Sequence, residues 1–358
     1  MLARISRRKW LLAMLLTLGF ILVTVGLGYY SNLVIPGNPD HNARYLAEPG
    51  THLDFMSEWD GPHYIYIAQH GYGNNVGLSA FFPLYPLLIR LVMYIVRSPL
   101  ISALLVSWLC LFGALYFYFK IAHKLFGSDT TTLLAGALLF LLFPTGVFLA
   151  ATYYSSLLAF TTLAAFYFGL RGKYIYAGLF CLLAAATQPI GIFTAVAVAL
   201  LLYEAKTGLV KSTVALVFGM AGIGGYMLYL DASMGKPLAF ISGQRQTGWL
   251  SGHYLNELTG SITAVSLILF VLMLISVIYW WRKRLSFAIY NLLYVITPII
   301  GGNFAGYGRY ILTAFPLQFM LLKKFKNSTL GYSVVLSLST MVWAYFVIHY
   351  AAGYTGGS

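Results

Sequence analysis

The residues best equipped for chemistry sit together in one stretch, HLDFMSEWDGPHYIYIAQHGYG at 52–73. It places Asp54, Glu58 and Asp60 among His52, His63 and His70, with Trp59 and three tyrosines between them. A carboxylate of this kind can take a proton from a hydroxyl as that oxygen forms a bond, and an imidazole can hold or pass one on. The run Asp60-Gly61-Pro62 reads as the start of a helix, because Asp is a favoured N-cap and Pro is favoured in the first turn. On that helix His63, Ile67 and His70 share roughly one face, and Tyr64 and Ala68 an adjacent one, so polar groups line a single side. From the residues alone Asp60 has two readings, a helix cap or a reactive carboxylate at the edge of a site. The histidines do not suggest a metal: His63 and His70 are seven apart and no paired-ligand spacing appears.

Composition says what must position these groups. Of 358 residues, 60% are hydrophobic and 9% charged, against about 25% charged in a soluble domain. This excludes most soluble folds, and the abundance of Leu, Phe and Tyr excludes disorder. Cys110 and Cys181 each lie in an apolar run, so neither a disulfide framework nor a Cys-based metal site is expected. A membrane-crossing helix needs about 20 mostly apolar residues. Such runs fall at 10–30, 100–119, 130–150, 155–170, 174–187, 190–204, 212–231, 258–281, 285–300, 310–322 and 329–350. The fold class expected is all-α and polytopic, with about eleven transmembrane helices. The first run is expected to be an uncleaved anchor, since it is too long for a signal peptide and lacks a small-residue cleavage site. Phe81 to Val96 is apolar but holds two prolines and Arg90, and is expected to lie in the interface or re-enter the membrane.

Charge sets the orientation. With Phe81–Val96 not crossing, sixteen of the 22 basic residues fall on the N-terminal side of the membrane: Arg4, Arg7, Arg8, Lys9, Lys120, Lys124, Arg171, Lys173, Lys206, Lys211, Arg282, Lys283, Arg284, Lys323, Lys324 and Lys326. Arg44, Arg90, Arg97, Lys236, Arg245 and Arg309 fall opposite, as the positive-inside rule requires. The net charge of +13 thus reflects topology, and no nucleic-acid partner is expected. Acidic residues sort the other way. Asp40, Glu48, Asp54, Glu58, Asp60, Asp231 and Glu257 are outside, and only Asp129 and Glu204 inside. The chain reads as one integral membrane domain, 1–358. Its first outer loop and interface segment, 31–98, carry the candidate site, and a second outer loop spans 232–257. The localisation expected is the plasma membrane of a prokaryote, with the N-terminus cytoplasmic and the active loop extracytoplasmic.

The stretch Trp59-Asp60-Gly61-Pro62-His63-Tyr64, with Ile67-Ala68-Gln69-His70-Gly71-Tyr72 and Ala80-Phe81-Phe82-Pro83-Leu84-Tyr85-Pro86, resembles the signature of PIG-V-like mannosyltransferases. These are GT-C fold membrane enzymes that include prokaryotic relatives of the GPI mannosyltransferase adding the second mannose. The resemblance continues through Phe143-Pro144 to Ala159-Phe160, Thr187-Gln188-Pro189-Ile190-Gly191, Gly235-Lys236-Pro237-Leu238-Ala239-Phe240 with Gln244 and Trp249, and Gly308-Arg309-Tyr310 with Phe315-Pro316. There are departures. Tyr154 and Ser155 stand where the family typically shows Ser-Glu, Gln188 replaces a usual Arg, and Lys236 an Asp.

The resemblance implies transfer, with inversion, of a mannosyl unit from a polyprenyl-phosphate donor to a hydroxyl of a glycolipid or other glycan acceptor on the outer face. Asp60 matches the position of the family's catalytic acid and is the expected base, with Glu58 and Asp54 in reserve. The leaving phosphate calls for fixed donors, and the arginine fork suits its oxygens. Arg309 leads here, followed by Arg245 and Arg90, the last also placed to snorkel toward lipid headgroups. Tyr310, His63 and Gln188 are further candidates for sugar or phosphate contacts. Asp-x-Asp and Gly-rich phosphate motifs are missing, so a lipid-phosphate donor is expected in place of a soluble nucleotide sugar. No cofactor or metal is expected, the partners are membrane lipids, donor and acceptor, and whether a small membrane subunit joins them is open. A lipid or solute transporter or flippase is the rival class, although transporters keep ionisable groups at mid-bilayer and these spans almost lack them. Within the fold, a protein O-mannosyltransferase or a pentosyltransferase is the alternative.

Overall fold

The computed structural model describes residues 2–38, 52–127, 129–248, 261–301, 304, 306–325 and 327–354, and of these the side chains of 2–8 and 261–263 are left aside. Asp40, Arg44, Glu48, Trp249, Glu257 and Lys326 lie outside the described residues, and so do the side chains of Arg4, Arg7 and Arg8. Among the described residues all regular structure is helical, as the composition requires: in hydrocarbon a backbone must satisfy its own hydrogen bonds, and a helix does so within one segment.

The helices are α1 (Leu2–Val34), α2 (Gly61–His70), α3 (Leu84–Val96), α4 (Pro99–Phe126), α5 (Thr130–Leu141), α6 (Ser155–Leu170), α7 (Tyr174–Thr187), α8 (Ile192–Glu204), α9 (Leu209–Met234), α10 (Ala239–Gln246), α11 (Ser261–Trp281), α12 (Leu285–Gly301), α13 (Tyr307–Ile311), α14 (Phe315–Phe325) and α15 (Thr329–Ala351). Their limits follow local chemistry. Ser98 caps α4 by accepting from the Ile101 amide, Asp129 caps α5 through Thr131 and Thr132, and Ser328 caps α15 through Gly331. Gly127 and Gly235, both at positive φ, end α4 and α9.

Segments 9–34, 99–126, 209–234, 264–281 and 329–351 are long and apolar enough to cross a membrane. Two expected spans are broken. The run 130–150 is a helix only to Leu141, then unwinds through Pro144 into a 3-10 turn at Gly146–Leu149. The Gly146 Cα lies so close to the Leu141 carbonyl that a Cβ has no room. The run 310–322 divides into α13 and α14. Phe81–Val96 yields the 13-residue α3, about 20 Å long at ~1.5 Å per residue and short of a bilayer's ~30 Å core. Tyr85, Pro86 and Ile89 are buried, while Leu87, Leu91, Tyr94 and Ile95 face outward. This suits a helix lying in the interface. Exposed Leu22, Val217, Met220, Leu228, Ile278, Leu338 and Met341 continue the apolar surface around the bundle, which is what a lipid solvent demands.

The helices run alternately between two ends. At one end, Lys124 donates to the Leu170 carbonyl at 2.6 Å, Glu204 accepts from the Leu285 amide (2.7 Å) and the Ser286 hydroxyl (2.6 Å), and the Trp280 indole donates to the Pro316 carbonyl at 2.8 Å. At the other end lie α2, α3, α10 and α13. The seams that α9 makes depend on small residues, with Gly222 against the Leu182 carbonyl and the Ala185 Cβ of α7, and Gly219 against Ala195 of α8. This is the close backbone approach by which membrane helices associate. A Gly222→Leu substitution is expected to force α7 and α9 apart at a cost of about 1–3 kcal/mol, read as a lower melting temperature in detergent. Leu at Gly224, which has nothing within 4 Å of an added Cβ, is the neutral control.

Candidate active site

The chain approaches Asp60 through a 3-10 turn at Asp54–Met56 and a tightly held tetrapeptide. The Thr152 amide donates to the Met56 carbonyl at 3.0 Å and the Thr152 hydroxyl to that of Ser57 at 2.9 Å. The Glu58 amide donates to the Tyr350 hydroxyl at 2.9 Å, and the Asp60 amide to the Tyr153 hydroxyl at 2.8 Å. Tyr153 donates in turn to the Glu58 carbonyl at 3.3 Å, and Tyr350 to that of Met56 at 3.2 Å. Two buried phenols, one just before α6 and one near the end of α15, therefore hold Met56, Glu58 and Asp60, alternate residues of the segment 56–60.

Trp59 takes a left-handed conformation, φ 57°, uncommon for a bulky side chain and a mark of strain that the surroundings must enforce. Its indole packs against Phe148 and Tyr350, with ring centroids 5.5 and 5.2 Å away. Gly61 follows where a Cβ would collide with the Thr152 and Ser57 hydroxyls. Together these turn the Asp60 side chain away from α2.

The capping reading of Asp60 therefore fails. The residue is at the N-cap position, but its side chain makes no capping hydrogen bond. Asp60 Oδ2 instead accepts from Arg309 Nη1 at 2.6 Å, across 249 residues of chain. Arg309 stands on α13, which is anchored where the Thr145 hydroxyl donates to the Gly308 carbonyl at 2.8 Å. Its guanidinium carbon sits 5.6 Å from the ring centroids of Phe148 and Tyr153 and 5.7 Å from that of Tyr310. The two side chains are 17% and 11% exposed, so they are sheltered but reachable. Burial opposes the guanidinium's charge, the Asp60 carboxylate outweighs it, and the Arg309 pKa rises well above its ordinary value.

Tyr310 lies in the field of both members of this pair. His63, half-buried with its ring 5.0 Å from Phe81, faces Asp60, yet burial outweighs the carboxylate and lowers its pKa from 6.5. Gln188, in extended backbone after α7, faces Tyr154. Glu58 is buried beside Tyr350, and Asp54 begins the 3-10 turn. Arg245 and Arg90 are not part of the ion pair. Both are exposed, the first on α10, the second on the outward side of α3, where it suits the headgroup-facing role. His70 is exposed too, its Nδ1 3.3 Å from the Tyr66 carbonyl, so the expected polar face of α2 narrows to His63. The α10 segment of the second loop lies on the Gly77–Ala80 turn, with Gly243 pressed against the Val76 carbonyl and the Ala80 amide. Sequence reasoning missed Tyr153, Tyr350, Phe148 and Thr145. Thr145, Phe148 and Tyr153 lie within the segment Phe143–Phe160 with family resemblance and could have been found there, whereas nothing sets Tyr350 apart among 28 tyrosines.

Residues 45–214 match the family described as Mannosyltransferase (PIG-V). The matched segment is just under half of the chain, and over it the chain is similar to the PIG-V mannosyltransferases. The chain is 31% identical over 218 residues to GPI alpha-1,6-mannosyltransferase 2 of Cricetulus griseus, covering 54% of this chain and 42% of that protein. It is 32% identical over 152 residues to the protein of the same name from Homo sapiens, covering 36% and 30%. The chain thus matches about two fifths of the length of the hamster relative. Among solved structures, the Archaeoglobus fulgidus oligosaccharyltransferase in complex with Zn and sulfate superposes with a TM-score of 0.48 at 12% identity, covering 95% of this chain and 53% of that one. The family-matched region holds Asp60, Tyr153 and Gln188, while Arg309 comes from outside it.

Two outcomes follow from the geometry. Arg309→Gln strands the sheltered Asp60 carboxylate and is expected to lower stability by about 3 kcal/mol or more, and adding Asp60→Asn should restore most of the loss, measured by thermal unfolding of both variants in detergent. His63 provides a pH signature. The unfolded chain takes up a proton near pH 6.5 and the folded chain only at lower pH, so stability falls as pH drops through and below 6.5. The melting temperature of His63→Phe should decline less steeply over that window than that of the parent protein.

Proposed function

We propose that the chain is an integral membrane glycosyltransferase that moves a mannosyl unit from a polyprenyl-phosphate donor to a hydroxyl of a glycolipid or other glycan acceptor, with inversion and in a GT-C-like arrangement. The observation that carries this reading is the Asp60–Arg309 pair: one base and one phosphate-binding fork, side by side in a sheltered niche at a helix-bundle end. The acceptor oxygen attacks the anomeric carbon while the bond from that carbon to the phosphate oxygen breaks. The hydroxyl proton passes to the Asp60 carboxylate, and the bonding pair leaves with the phosphate, whose charge Arg309 stabilises. Arginine carries five N–H donors in a planar fork, a number sufficient for one guanidinium to meet a phosphate and still orient Asp60 through Nη1. His63, with its pKa lowered, enters the niche uncharged at neutral pH and leaves the pair as the dominant charges there. Tyr310 and Gln188 contribute hydroxyl and amide contacts, and Arg245 and Arg90 stay outside the reaction.

The proposed setting is a prokaryotic plasma membrane with the site end extracytoplasmic, an orientation that puts the basic end carrying Lys124, Arg171 and Arg284 in the cytoplasm. With purified protein, polyprenyl-phosphate-mannose and glycolipid or peptide acceptors, Asp60→Asn is expected to lower kcat by about 100- to 10,000-fold while the fold and the affinity for polyprenyl phosphate persist. A folded Asp60→Asn protein with full transfer rate would overturn the base assignment.

A further inference from the structure

The pair of charges accounts for the base and the leaving group, but the group in transit must touch the protein as well. Beside the pair lies Tyr154, followed in the chain by Ser155 and faced by Gln188, all three buried and polar. Tyr154 is 2% exposed, Ser155 1% and Gln188 4%, and the Tyr154 hydroxyl, the Ser155 hydroxyl and Gln188 Oε1 each lack a hydrogen-bond partner among the described residues. Tyr154 and Gln188 face one another within reach of a side-chain contact. Leaving such a group unmade typically costs about 1–3 kcal/mol, and three in neighbouring positions form a concentration that native packing normally avoids. Their neighbours are well satisfied: Tyr153 serves the Asp60 amide, and Ser156 donates to the Leu149 carbonyl at 2.6 Å.

Tyr154 lies in the electrostatic field of Arg309, Tyr310 and Asp60 together, and its ring centroid is 6.1 Å from that of Tyr64 on α2. It therefore borders the point where the anomeric carbon must sit between base and phosphate. The three side chains offer two hydroxyls and an amide, which donate and accept but carry no charge. Such a set suits a ring bearing several neutral hydroxyls and offers no ion partner to a uronate, an amino sugar or a phosphorylated sugar. We propose that Tyr154, Ser155 and Gln188 form the subsite for the hydroxyls of the transferred sugar and select a neutral hexose. This rests on the reading of the site as one of glycosyl transfer from a lipid phosphate.

The test compares two probes, polyprenyl phosphate alone and polyprenyl-phosphate-mannose, by equilibrium binding to the parent protein and to Tyr154→Phe, Ser155→Ala and Gln188→Leu. The parent should bind the sugar-bearing probe more tightly. Each variant should lose about 3- to 10-fold of that gain with unchanged affinity for polyprenyl phosphate. Tyr154→Phe and Gln188→Leu remove at most a contact with one another, so their melting temperatures should change little, whereas Tyr153→Phe, which breaks the tie to the Asp60 amide, should melt lower. A parent that binds both probes equally would undo the donor assignment itself. A parent that prefers the sugar, with variants that keep the whole preference, would overturn the subsite and leave the donor assignment standing.

Discussion

A carboxylate and a guanidinium meeting at the edge of a hydrocarbon-embedded bundle constrain most of what surrounds them. Neither charge can be taken from water alone without a large desolvation penalty, and together they are tolerated only with good geometry and further hydrogen bonds. The structure supplies both. Phenols hold the backbone that presents Asp60, aromatic faces flank Arg309, and Thr145 fixes the short helix beneath it. The breaks in helical structure belong to the same requirement. Two expected spans unwind, one at 142–154 and one at 312–314, and these irregular stretches supply Thr145, Phe148, Tyr153 and the support of α13. Backbone of this kind survives at membrane depth where protein covers it, so the site lies where the bundle can shelter non-helical chain.

The large-scale plan was legible because hydrocarbon imposes a strong rule. Apolar runs gave nearly every helix, and the count of Lys and Arg kept Phe81–Val96 from being read as a span, in accord with the 13 residues of α3. The site was half legible. Asp60 announced itself through its neighbours, and Arg309 through the scarcity of arginines on its side of the membrane. Their contact was not readable, because no local periodicity relates residues so distant along the chain. The cap reading of Asp60 went astray for a related reason: its position satisfies the capping rule, but the left-handed Trp59 and the pull of Arg309 direct the carboxylate elsewhere. Tyr153 and Tyr350 act through hydroxyls at the tips of side chains whose type is common throughout the sequence.

Strain and satisfaction are distributed with a pattern. The segment before α2 contains a bulky residue at positive φ and a glycine in a space that admits no Cβ, yet its peptide groups are bonded to buried phenols. Tyr154 and Ser155, next to one of those phenols, and Gln188, which faces Tyr154, are buried and have little to satisfy them among the described residues. Rigid support beside unsatisfied groups is the arrangement expected of a preorganised site, where the free energy withheld from folding remains for a ligand.

The 249-residue gap between the members of the ion pair also orders events during biosynthesis. Asp60 reaches the membrane after the first anchor helix, whereas Arg309 emerges only after most of the bundle has been made. Throughout that interval the carboxylate lacks its guanidinium, and a niche built on the pair cannot close. Docking α13 brings Arg309 to Asp60, but the niche is complete only when α15 delivers Tyr350 to the Met56 and Glu58 backbone. The site is thus closed by the last helix of the chain upon a segment near its beginning.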